Sequence, residues 1–153
     1  MANTVRGLRN NNPGNIEFGT FARLYGGTLE DPPLDGGRAR FAKFPTMVDG
    51  LRTIAELLIV YSVKPDGKGG KIDTVAEAIN RWAPSNENHT AAYIALVCTV
   101  LDCNKNDEFD FTDPNFLFWM VTGIGEEETG AQAFTENVSD TDILAGVQLA
   151  LES

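Results

Sequence analysis

Histidine, cysteine and basic charge are scarce in this chain, and each scarcity narrows the function. His89 is the sole histidine, which excludes metal sites built on histidine pairs and speaks against His-dependent triads. The two cysteines, Cys98 and Cys103, have neither a CxxC spacing nor a histidine cluster beside them, so no redox or metal motif is present. Cys98 falls in the apolar run IALVCTVL and reads as a small core residue; a disulfide is compatible with the pair and not required by it. Twelve Lys and Arg stand against 22 Asp and Glu, a net charge of −10 with a pI near 4.4. That balance argues against a generic nucleic-acid binder, which carries a basic stripe, and against adhesion to an anionic membrane. No apolar run approaches the roughly 20 residues of a membrane span. The opening, MANTVRGLRNNNPGN, contains no apolar h-region, so the expectation is no secretory signal and any export by another route.

What is present suits a folded domain. Hydrophobic residues make up 42% and aromatics 9% of 153 residues, enough for one domain, 1–153, with a core of its own. Residues 1–44 are rich in Asn, Gly and Pro and read as irregular, with short extended pieces at 16–21 and 40–44 that can pair as a hairpin. Residues 45–153 read as helical. Thr46 caps a helix whose buried face is Val48, Leu51, Ile54, Leu57, Leu58 and Tyr61, with Asp49 completing an approximate capping box. A second helix runs from Asp73 to before Pro84, carrying Ile79 and Trp82, and a third spans residues 90–101. A fourth opens at Asp113-Pro114, where an Asp cap precedes Pro at the first helical position. The last spans about 141–152, capped by Ser139 or Asp140. The prediction is a mainly α, compact five-helix domain with a loop-rich entry.

Three segments carry chemistry. RGLRNNNPGNIEFG (residues 6–19) sets Asn10, Asn11, Asn12 and Asn15 around a stiff Pro-Gly turn, which either frames a polar ligand or satisfies its own backbone. WMVTGIGEEETG (119–130) is an apolar helix that ends in three acids, an unfavourable charge placement at a helix C-terminus. The run 102–113 resembles a calcium loop in its oxygen spacing. It has Asp107 where glycine is needed and Asp113 where a bidentate Glu is usual, so an acidic inter-helix loop is the better reading. No metal and no cofactor are expected.

RNNNPGNI, together with FAKFPTMVDGLRTIAELLIVY (41–61) and WAPSNENHTAAYI (82–94), resembles a group of small domains in phage virion and wall-degrading proteins. The order of an Asn turn, F-x-x-F and a helix is also similar to bacterial glucosaminidases of the lysozyme-like superfamily. There the helix bearing the catalytic glutamate precedes the turn. Glu128-Thr129-Gly130 resembles the helix end of lytic transglycosylases, with Thr where Ser is usual. The resemblance therefore implies a permuted lysozyme-like domain that cuts peptidoglycan glycan strands, with Glu128 as general acid. Asn12 and Asn15 would shape the cleft, with Trp82, Glu87 and Tyr93 on its opposite wall; Glu17 and Asp35 are further carboxylates. The enzyme would be made in the cytoplasm and delivered to the cell wall by a phage particle or secretion apparatus, whose proteins are its other partners. Two alternatives stand beside it: a non-catalytic virion or wall-binding module, and an acidic interaction or inhibitor protein.

Overall fold

The structure, a computed structural model, describes residues 5–31, 37–63, 71–84 and 89–153. It is mainly α. Among the described residues eight helices and one two-stranded sheet follow in the order α1 (Arg6–Arg9), α2 (Thr20–Leu24), β1 (Thr28–Leu29), β2 (Ala42–Lys43), α3 (Met47–Ser62), α4 (Val75–Trp82), α5 (Thr90–Leu101), α6 (Pro114–Thr129), α7 (Ala131–Asn137) and α8 (Asp140–Glu152). No helix of the described residues is long and apolar enough to cross a membrane.

The five long helices lie where periodicity and capping place them. Thr46, Thr74, Asp113 and Ser139 each accept a backbone N–H of the first turn, relieving the orphan donors of a helix start. At the end of α5, Asp102 takes the left-handed conformation (φ 53°). The Cys103 N–H then reaches the Cys98 carbonyl at 3.1 Å and the Asp102 N–H reaches that of Thr99 at 3.3 Å, a Schellman cap. Both thiols are free and half-buried. In the acidic loop that follows, Asp107 accepts the Asn104 N–H and Asp110 that of Thr112, which spends carboxylates on the loop's own backbone.

Three short helices depart from the five-helix expectation. α1 forms inside the Asn-rich entry. α2 takes residues expected to be extended, so the predicted hairpin changes partner: β2 pairs antiparallel with β1, Thr28 opposite Lys43, and the 16–21 segment contributes only the Glu17–Phe41 bridge. Gly26, at φ 90°, turns the chain so that residues 28–29 reach that edge. α7 restarts after Gly130, whose φ of 98° ends α6; no side chain prefers that conformation.

α3 is the axis of the core. Leu51, Ile54, Ala55 and Leu58 are fully buried, against Ile79 of α4, Val97 of α5, Leu117, Met120 and Ile124 of α6, and Ile143 and Val147 of α8. A second, smaller cluster of Ala22, Ala42 and Phe44 lies under α2 and the sheet.

Candidate functional site

The Asn turn is built by its own side chains. Asn11 and Asn15 both sit at positive φ (51° and 48°), a conformation Asn accepts more readily than most residues. Asn12 is buried; its amide donates to the Ile16 and Ala42 carbonyls at 2.9 Å each, and its oxygen accepts the Ile16 N–H at 3.0 Å. Asn11 donates to the Phe44 carbonyl at 3.1 Å. Gly50 of α3 lets this turn dock, since a Cβ there would lie 1.9 Å from the Asn11 carbonyl oxygen.

The docked turn carries Asn15 to the end of α6. The Asn15 amide donates to Glu128 Oε1 at 3.0 Å and to the Glu128 carbonyl at 3.4 Å. From the other side the Tyr93 hydroxyl donates to Glu128 Oε2 at 2.9 Å. Asn15 Oδ1 is buried with no hydrogen-bond partner among the described residues, so the amide orientation is set by Glu128 alone. Burial pushes the Glu128 carboxyl up from its ordinary value, and the Glu127 charge adds to this. The hydrogen bonds from Asn15, Tyr93 and Trp82 pull down without offsetting it. The Tyr93 phenol is driven far above its usual range by burial and by the adjacent Glu128, so it remains a donor at any working pH. This is a carboxyl held at both oxygens and primed to keep a proton.

Glu128 opens onto a cleft of about 680 Å³. Gly14, Asn15, Trp82 and Ala83 lie beside it, Leu57 and Tyr61 come from α3, and Ile16, Glu17, Phe21, Arg40 and Phe41 complete the lining. Trp82 meets Tyr61 edge to face at 6.3 Å. The mix of aromatic faces and a few polar groups suits a sugar-sized ligand.

No family model matches the chain. Over 132 residues it is 33% identical to Protein P5 of Pseudoalteromonas phage PM2, a match that covers 86% of this chain and 75% of that protein. The chain belongs to the Protein P5 family. That name states no activity, so the chemistry of this P5-family cleft rests on its geometry.

The residues singled out in the sequence separate into three groups. Asn15, Glu128 and Trp82 come together on the cleft. Tyr93 and Asn12, expected to line the ligand cleft, are not among its lining residues. Tyr93 is 3% exposed and stands behind the acid, positioning it. Asn12 is 0% exposed, its side chain consumed by backbone groups on both sides of the turn. Glu17 does reach the cleft, paired there with Arg40. Glu87 and Asp35 lie outside the described residues. His89 is exposed and makes no side-chain cap on α5.

Glu30 escaped sequence reasoning. Its side chain is fully buried. Oε1 accepts from Arg6 Nε, Arg9 Nη2 and Asn10 Nδ2 at 3.1–3.2 Å. Oε2 accepts the backbone N–H of Arg40 and Phe41 at 3.1 and 2.9 Å. One carboxylate thus ties α1 to Arg40 and Phe41, the cleft-lining residues just ahead of β2. Burial alone raises its pKa, and these donors outweigh burial and bring it below the ordinary value. Arg40, Phe41 and Tyr61 were also missed as lining residues; Tyr61 follows the buried face of α3 and reads as core.

Proposed function

We propose that the cleft cleaves the glycan strand of peptidoglycan, in a permuted lysozyme-like domain with Glu128 as general acid. One observation carries the reading. A half-buried carboxyl of raised pKa sits at a helix end, held by Asn15 and Tyr93, and faces an aromatic-walled cleft. A glycosidic oxygen leaves only when protonated, and a carboxyl whose surroundings disfavour its charged form is suited to supply that proton. Among the described residues the other carboxylate lining the cleft is Glu17, exposed beside Arg40; the likeness of the Glu128 helix end to that of lytic transglycosylases is what favours a single-carboxyl path over a hydrolase with two. In that path Glu128 donates its proton to the leaving oxygen as the bond to the anomeric carbon breaks. The resulting carboxylate takes the proton of the sugar's own 6-hydroxyl as that oxygen attacks the same carbon. The product is an anhydro sugar, and no water is consumed. The phage origin of the relative agrees with delivery to the wall by a particle.

Digestion of purified peptidoglycan, with the soluble fragments weighed by mass spectrometry, tests this. Anhydro-ended fragments from the native chain and none from Glu128→Gln are expected. Reducing-end fragments would make the protein a hydrolase. No release from the native chain, or equal release from the variant, would remove the catalytic role and leave a wall-binding module.

A further inference from the structure

We infer that Arg40 forms a carboxylate-binding subsite in the cleft, specific for glycans that carry an acidic substituent, and that Glu17 occupies this subsite when it is empty. The inference rests on the glycan-cleaving reading and names the feature of the substrate the far wall recognises. Arg40 and Glu17 both line the cleft that Glu128 opens onto, and the Arg40 Nε–H donates to a Glu17 carboxylate oxygen. Their side chains are 56% and 59% exposed, and an ion pair that wet contributes little to stability. The pair is therefore cheap to exchange. A ligand carboxylate arriving in the cleft replaces Glu17 on the same guanidinium, and Glu17 turns to solvent.

The backbone of Arg40 is not so easily moved. Its N–H is fixed on the buried Glu30 carboxylate at 3.1 Å, so the guanidinium swings from an anchored base. It lies 5.0 Å from the centre of the Phe41 ring, and Arg6 lies 4.8 Å from the same centre. Two cations thus flank one cleft-lining aromatic. The wider charge pattern has the same sense. The first third of the chain holds six of its 12 Lys and Arg but only five of its 22 acids. On the cleft wall built from the N-terminal segment, Arg40 and the neighbouring Arg6 supply positive charge that an anion can meet. A guanidinium binds a planar carboxylate through paired N–H donors, which a neutral sugar hydroxyl cannot imitate.

Binding is measured by calorimetry in the Glu128→Gln chain, so that no bond is cut. The ligands are a tetrasaccharide of alternating N-acetylglucosamine and N-acetylmuramic acid, and the same sugar with its lactyl carboxylates methyl-esterified. The acid form is expected to bind about tenfold more tightly than the ester, the effect of one charge-assisted hydrogen-bonded contact. Adding Arg40→Gln should erase the preference for acid over ester. Adding Glu17→Gln, which removes one competing carboxylate, should tighten acid binding about threefold, the scale of an exposed ion pair. Equal binding of acid and ester, a preference that survives Arg40→Gln, or weaker acid binding in Glu17→Gln would overturn the subsite while the glycan reading stands. If neither sugar binds, the glycan reading itself fails and takes the subsite with it.

Discussion

Removing the Tyr93 hydroxyl should make Glu128 a weaker acid. The hydroxyl donates to Oε2 at 2.9 Å inside a protein environment that already disfavours the charge. A hydrogen bond to a charged group contributes about 1.5–3 kcal/mol, and one to a neutral carboxyl about 1 kcal/mol. The difference between the two protonation states is then about 1.4 kcal/mol, or roughly one pH unit. The bond favours the carboxylate, so Tyr93→Phe raises the pKa of Glu128 further. Phe keeps the ring and its packing against the core, where Tyr93 is buried, so the fold is retained. Carbon-13 NMR of the Glu128 side-chain carboxyl reads the titration directly, and the alkaline limb of the cleavage profile should move up with it. Tyr61→Phe is the control: Tyr61 lines the same cleft without bonding the acid, and its removal should leave the titration in place. A Glu128 pKa that stays or falls in Tyr93→Phe would refute the account of how the acid is held.

Glu128→Gln should be inactive and should remove the pH dependence that Glu128 gives to the stability of the native chain. The folded pKa is raised, so Glu128 favours folding only at pH values below its unfolded pKa, and that share is lost as pH rises through the folded pKa. Calorimetry should show native melting falling relative to Glu128→Gln as pH rises from acid to neutral; a gap between the two that does not change with pH would contradict this. Glu30→Gln should do the opposite. An amide puts donors against donors in a buried five-donor site, a cost of about 3 kcal/mol or roughly 9 °C for a chain this size. Because the folded pKa of Glu30 is lowered, its stabilisation is present above the unfolded value and is lost as pH falls through the folded one. The gap between variant and native melting should therefore close in acid; a constant gap would contradict it. Gly50→Ala drives a methyl to within 1.9 Å of the Asn11 carbonyl, a backbone clash expected to cost at least about 2 kcal/mol in chemical denaturation.

The helices were legible because each repeats a physical signal along the chain. α3, α4, α5, α6 and α8 show apolar spacing over several turns, and most begin at a residue whose side chain can hold an orphan N–H. α1, α2 and α7 are too short to show a period and are set by what they pack on: the Ala22 backbone and side chain crowd Gly27, and Phe134 fills the space that Gly125 leaves. The site was legible in part for a similar reason. Asn15 and Glu128 each belong to a local pattern that is odd for a merely structural segment, a triple-Asn turn and acids at a helix C-terminus. Glu30 and Arg40 are single charges in irregular stretches. Their importance comes from convergence in space, which leaves no mark on neighbouring residues. Tyr93 falls on the helix the spacing predicts, but its hydroxyl meets Glu128 and not the cleft, because helical spacing fixes its face and not what meets it there.

The hydrogen bond from Asn15 to Glu128 joins residues 113 positions apart. Closing so long a loop draws on chain entropy that no single contact repays, and long-range closures of this kind come late in folding. α5 and α6 are close in sequence and can pair first, bringing Tyr93 to the acid while the Asn turn is still undocked. Until that turn arrives on α3, Glu128 lacks the Asn15 amide and is not yet in its folded surroundings. On refolding, helical signal should therefore return before the shifted titration does, and a chain stalled part-way carries the residue without its chemistry.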